Sequence, residues 1–184
     1  SIYQKLSESF IEKFQDKVNW YCISKYQKLS EDFIKKFQDK VNWYYISRYQ
    51  KLSEDFIEKH NLKVSDDNWN YKSNEWKKNY IINTGLYEVF DDYIIAYKSS
   101  RSDGYSKFNF QFHYKINKTY TDHADPISSN ENSFGLSAWT LDSAKDYCNE
   151  LVFKVKIYIN DIACLVHKNH KIQDSKITIL QKIE

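Results

Sequence analysis

Methionine is absent from the 184 residues, proline occurs once and glycine three times. With the two commonest turn formers nearly missing, loops have to be built from Asn, Asp, Ser and Lys. No apolar run approaches the roughly 20 residues of a membrane-spanning helix, and no secretory leader pattern is seen. The three cysteines, Cys22, Cys148 and Cys164, form no CxxC pair. A disulfide framework is therefore not expected, and reduced structural thiols suit a cytoplasmic compartment. Neither sign of charge dominates, with 27 basic against 25 acidic residues. Nothing in that balance calls for a DNA-coating or membrane-surface role.

What is abundant is aromatic: 17% of the chain, with 16 Tyr, 11 Phe and 5 Trp. These rings supply core and leave amphipathic surface for binding. The second abundance is repetition. YQKLSESFIEKFQDKVNWYCIS from Tyr3 returns as YQKLSEDFIKKFQDKVNWYYIS from Tyr26, and YQKLSEDFIEKH begins again at Tyr49, a period of 23 residues. A repeat this short cannot bury its own core, so copies must stack.

Each copy carries two helix starts of one design. Leu6-Ser7…Ile11, Leu29-Ser30…Ile34 and Leu52-Ser53…Ile57 place a Ser N-cap between apolar residues spaced as a hydrophobic staple. Glu8, Glu31 with Asp32, and Glu54 with Asp55 fill the first turns, where the helix dipole favours them. Val18-Asn19…Ile23 and Val41-Asn42…Ile46 repeat the design with Asn. Two short helices per copy follow, near 8–15 and 20–27 in the first. Trp20 and Trp43 belong in the stacked core.

After His60 the pattern dissolves into a turn-rich connector. Ser73 is a cap for one more helix, with Asn83-Thr84-Gly85 as its stop. From Leu86 the period becomes two. LYEVF and YIIAY flank Asp91-Asp92 as a hairpin. The clearest alternation is Lys107–Ile116, which sets Phe108, Phe110, Phe112, Tyr114 and Ile116 on one face and Lys107, Asn109, Gln111, His113 and Lys115 on the other. Strand 119–121, a helix capped by Thr140, strand 152–159, and a last hairpin of 162–167 with 176–180 around loop 168–175 complete the reading. The expected fold is α+β: a short-helix repeat stack over 1–82 packed on a mostly antiparallel β module over 83–184 with one or two helices.

The repeat resembles repeats of uncharacterised proteins from giant DNA viruses and some large phages. RSDGYSKFNFQF (101–112), ENSFGLSAWTLDSAKDYCNEL (131–151) and DIACLVHKNHKIQDSKITIL (161–180) resemble the module that follows those repeats. The resemblance implies viral origin and an accessory role in the cytoplasm of an infected host cell. It carries no catalytic residue with it.

Two segments carry candidate ligand chemistry. Arg101, Ser102, Asp103 and Tyr105 form a Gly/Ser loop of the kind that holds phosphate through backbone N–H groups and a guanidinium fork. It leads to Asn109, Gln111 and His113, whose amides can read a base edge while Tyr105 or Trp139 stacks on it. In the second segment Ser133 and Trp139 flank a Gly/Ser-rich strand before a capped helix. Ser137, Ala144 and Tyr147 faintly resemble a strand–helix segment of ADP-ribosyltransferases, but the Glu-x-Glu pair of such enzymes is missing. His167-x-x-His170 sits beside Lys168 and Lys171, and no Cys/His quartet has metal-ligand spacing. No catalytic set, metal or cofactor is assigned.

The expected function is sequestration of a small nucleotide-like host-defence signal, with a host protein as the other partner class and self-assembly through the repeats. The alternatives are a nucleotide-using enzyme with His113, His123 or Glu131 as acid/base, and a protein-interaction scaffold.

Overall fold

The computed structural model describes residues 4–148 and 150–183. The chain divides into two compact units, one through Tyr71 and one from Lys72. None of the helices among the described residues is long and apolar enough to cross a membrane.

The first unit is the repeat stack. Its helices are α1 (Glu8–Lys13), α2 (Trp20–Tyr26), α3 (Glu31–Lys36), α4 (Trp43–Tyr49) and α5 (Glu54–Lys59). Every cap expected from the repeat is made. Ser7, Ser30, Ser53, Asn19 and Asn42 accept from the backbone N–H three residues on. Helices of six or seven residues are too short to persist alone. Ile11, Ile23, Leu29, Phe33, Ile34, Phe37, Val41, Ile46, Leu52 and Phe56 bury one continuous apolar spine that holds them.

Side-chain hydrogen bonds fix the register between copies. The carboxylate of Glu8 accepts from the Ser30 backbone N–H at 2.6 Å, and Glu31 does the same for Ser53. The Gln27 carboxamide accepts from Leu6 N and donates to Gln4 O. One copy later, Gln50 accepts from Leu29 N and donates to the Ser24 and Gln27 carbonyls. Each copy therefore completes the backbone of its neighbour.

The second unit opens with α6 (Asn74–Thr84), capped by Ser73 and ended by Gly85 at φ 66°. Lys77 of this helix donates to the Ile162 carbonyl at 2.6 Å. The helix thus goes with the β module, although the sequence alone grouped it with the repeats.

Among the described residues eight strands follow: β1 (Glu88–Val89), β2 (Tyr93–Ser100), β3 (Thr119–Thr121), β4 (Leu136–Trp139), β5 (Leu151–Tyr158), β6 (Ile162–Val166), β7 (Lys171–Asp174) and β8 (Lys176–Ile183). Helix α7 (Leu141–Tyr147) packs over β2 and β4. All pairings are antiparallel, in the order β3-β8-β5-β2-β4-β7-β6, with β1 also on β2. The order forces curvature. In a flat sheet β7 and β8, four strands apart, would lie about 19 Å from each other. Yet Ser175 alone joins them, and that link spans only about 7 Å. The sheet must coil until its two halves meet. Register shifts at Lys154/Val155 and Ile162/Cys164 sit where such bending is needed.

Two expected elements are corrected. Residues 107–116 are not a strand. The chain reverses there: Ser106 N donates to Phe112 O and Phe112 N to Asn109 O, and only Tyr105 and His113 pair as a bridge. The Asn109 side chain accepts from Gln111 N and stabilises the turn locally. The Phe/polar alternation is broken accordingly. Tyr114 is buried, whereas Phe108 and Phe110 are 72% and 61% exposed. The last hairpin is also different: β6 turns directly into β7 through His167, Lys168 and Asn169, all at positive φ. Strand β7 lies inside the expected loop, and β8 pairs with β5 and β3.

Candidate functional site

The nine candidate residues fall into three places. Arg101, Ser102, Asp103, Tyr105, Asn109, Gln111 and His113 share one compact reversed loop. Its anion-binding groups are already engaged by carboxylates. The Arg101 guanidinium donates to Asp103 Oδ2 at 2.8 Å and lies over the Phe110 ring at 5.2 Å. Ser102 N donates to Glu150 Oε2 at 2.7 Å. That backbone donor, with the Ser102 hydroxyl, holds the Glu150 carboxyl below its ordinary range. Tyr105 N donates to the other oxygen of Asp103. The Tyr105 and His113 rings stack on each other at 4.3 Å. Asn109 and Gln111 serve the turn described above.

Ser133 stands elsewhere. It donates to the buried carboxylate of Asp125, which also accepts from the Asn130 side chain and the Ile127 backbone. Fully satisfied in this way, Asp125 organises the 125–133 loop. The Ser133 hydroxyl is engaged within that loop.

Trp139, on β4, anchors a different surface. Its ring stacks on Tyr147 of α7 at 5.1 Å and leans on His167 at 5.4 Å. The Lys171 ammonium of β7 lies 5.2 Å above the same ring. Lys107 lies 4.8 Å above the Tyr147 ring and donates to its carbonyl, and Phe108 meets Tyr147 edge-on at 6.2 Å. The reversed loop thus reaches the Trp139–Tyr147 stack through Lys107 and Phe108. Burial, with Lys98 nearby, lowers the Lys171 pKa. Glu131 closes the rim, 3.8 Å from His167 Nδ1 and accepting from Lys171 through its carbonyl. Lys107, Phe108, His167 and Lys171 were not singled out as ligand residues from the sequence. The signal available was a lysine beside an aromatic residue in Lys107-Phe108, but pairing it with Tyr147 needed the loop reversal.

Within the coiled sheet lies a second polar group. Lys98 on β2 donates to the Ser137 carbonyl at 2.6 Å and sits 5.3 Å from the buried Tyr114 ring. Asp174 on β7 is fully buried, and its oxygens lack a hydrogen bond of normal geometry. The Lys176 backbone N–H nevertheless favours its charged form somewhat. Burial lowers the Lys98 pKa and raises that of Asp174, and each opposes the shift of the other.

Two cavities open on this unit. One of about 650 Å³ is lined by Glu75, Lys78, Asp91, Asp92, Asp161 and Lys176 among others. One of about 360 Å³ includes Tyr87, Tyr97, Asp142 and His170. Neither is lined by any of the nine candidates. The acid/base candidates are dispersed: His113 rests on Tyr105, His123 on Phe134, and Glu131 faces His167. Among the described residues no group of three His, Cys, Asp or Glu side chains is placed to hold a metal ion. Comparison with protein-family profiles, curated proteins and solved structures gives no match for this chain.

Proposed function

We propose that the second unit is a binding module for a small planar anion of the nucleotide class, held at the patch around Trp139. The observation that carries this reading is the gathering of two ammonium groups, Lys107 and Lys171, with the rings of Phe108, Trp139, Tyr147 and His167. Rings offer a stacking platform to a base, and the Lys107 ammonium, on the exposed loop, offers charge to a phosphate. The Arg101 loop contributes through Lys107 and Phe108, since its own guanidinium is committed to Asp103. In the setting implied by the viral resemblance, the ligand is a nucleotide-like defence signal and the function is its sequestration.

A thermal-shift and calorimetric screen of linear and cyclic nucleotides tests the reading. A ligand that prefers the folded state raises the melting temperature. Recovery of the bound nucleotide intact after denaturation supports sequestration; release of a new product supports the enzyme alternative. Trp139→Ala is expected to weaken binding by about 1–3 kcal/mol, the worth of one base–ring stack. Absence of any shift with any nucleotide sinks the nucleotide reading. The exposure of Phe108 and Phe110 favours a host protein as the second reading.

A further inference from the structure

The cavity of about 360 Å³ lies at the start of α7. Leu86, Ile95 and Leu141 give it apolar walls, with Tyr87 and Tyr97 beside them. Thr140, Ser143 and His170 supply neutral polar groups, and Glu88 and Asp142 supply carboxylates. A hollow of this size, mostly apolar with a few convergent polar groups, has the make-up of a small-molecule site.

Its polar groups are not consumed by the fold. Ser7, Asn19, Ser30, Asn42, Ser53 and Ser73 each use a side-chain oxygen to cap a helix. Thr140 holds the same position before α7 and makes no such bond. Its hydroxyl stands 3.4 Å from His170 Nδ1, too far for a strong hydrogen bond, so hydroxyl and imidazole keep capacity for a ligand. The backbone holds the pair together, with Thr140 N donating to His170 O at 3.0 Å. Charge sets what can enter. Among the described residues no lysine or arginine lines the cavity; Asp142 is exposed, and Lys154 already lies 3.9 Å from Glu88. A phosphate inside would face carboxylates with no cation to offset them. A flat uncharged ring with a hydrogen-bonding edge suits both the apolar walls and the Thr140–His170 pair.

The cavity adjoins the Trp139 rings. Tyr97 is paired with Trp139 across β2 and β4, and directly opposed residues share a sheet face. Trp139 immediately precedes Thr140, and its ring stacks on Tyr147, at the far end of α7 from the cavity. With seven residues α7 is about 10 Å long. Two splayed bases joined by a phosphodiester can span that length. We infer that the cavity is a second base subsite and that the module's ligand is a dinucleotide. One base lies on the Trp139 rings, the other against Thr140 and His170, and the phosphodiester stays outside the cavity. This inference rests on the nucleotide reading of the Trp139 patch.

The test is calorimetric titration of the full chain with the common mononucleotides and with the dinucleoside monophosphates built from them. At least one dinucleotide is expected to bind about tenfold or more tightly than either of its mononucleotides, as for one added base contact. Ser143→Phe, which fills the cavity, should remove that advantage and leave mononucleotide affinity as it was. Thr140→Val, which removes only the hydroxyl, should reduce the advantage about threefold or more. Thr140 makes no cap bond, so α7 should survive its replacement; melting temperatures check the folding of both variants. Trp139→Ala should weaken both classes of ligand. Mononucleotide binding with no dinucleotide advantage overturns the second subsite and leaves the Trp139 reading standing. An advantage that survives both cavity variants overturns it as well. Absence of binding by either class, or binding indifferent to Trp139→Ala, defeats the Trp139 reading itself and this inference with it.

Discussion

Gln50 and Gln4 occupy the same place in their repeats and differ in what they hold. Gln50 is buried and serves three backbone groups; Gln4 is exposed. Leaving buried backbone groups unpaired costs about 1–3 kcal/mol each. Gln50→Ala is expected to destabilise the protein by several kcal/mol and Gln4→Ala by almost nothing, as urea unfolding will show. Gly135 presents a different constraint. Its φ is 112°, and a Cβ there would lie 2.7 Å from the Cα and Cβ of Ala124. Gly135→Ala should cost about 1–3 kcal/mol from backbone strain alone, with the steric clash in addition. Asp174 and Lys98 give stability a pH signature. Burial raises Asp174 from 3.8 to about 8. Between these values the native state keeps a proton that the unfolded state has lost, so this contribution falls as pH rises. Lys98 is lowered from 10.5 to about 8. Between those values the unfolded state keeps the extra proton, and stability rises with pH. A minimum near pH 8 follows. Asp174→Asn should flatten the falling arm, whose slope is at most about 1.4 kcal/mol per pH unit for one proton. Urea unfolding across pH 5–10 measures both arms.

The elements that sequence periodicity placed well are those whose signals are local. The five caps of the stack, the Ser73 cap and the Gly85 stop involve residues within a few positions of one another. The Asp91-Asp92 hairpin and strand 152–159 also held their places as β1–β2 and β5. Segment 107–116 failed because alternation describes a strand only where a partner strand exists. Here the Asn109 turn folds the segment on itself, and Phe108 and Phe110 point to solvent. Strand β7 was missed for the opposite reason. Lys171, Gln173 and Asp174 look like loop residues, yet all are buried between β4 and β6. The exposed phenylalanines separate binding from folding. A Phe108→Ser, Phe110→Ser double variant is expected to lower affinity for the ligand or partner while changing stability by less than about 0.5 kcal/mol, the usual range for surface changes.

At the level of the two units, the stack should behave as a one-dimensional array in which each copy is stabilised by its neighbours. The middle copy is covered on both sides and the first on one. In hydrogen exchange the amide of Ile34 should therefore be more protected than that of Ile11, although both cap-turn hydrogen bonds are 3.0 Å long.

The division into paired short helices and antiparallel strands was legible because caps, staples and periodicity act through neighbouring residues, and a 23-residue period leaves stacking as the only way to bury each copy. The candidate site was legible only in part. Trp139 was identifiable as an amphipathic ring before a helix cap, but its companions Lys107, Phe108, Tyr147, His167 and Lys171 come from a loop, a helix, a turn and a strand far apart in the chain. Strand order, sheet coiling and the reversal of 101–114 bring them together. Those depend on long-range pairings whose partners no local pattern specifies, and so the fold, not the sequence motif, set which charges meet which rings.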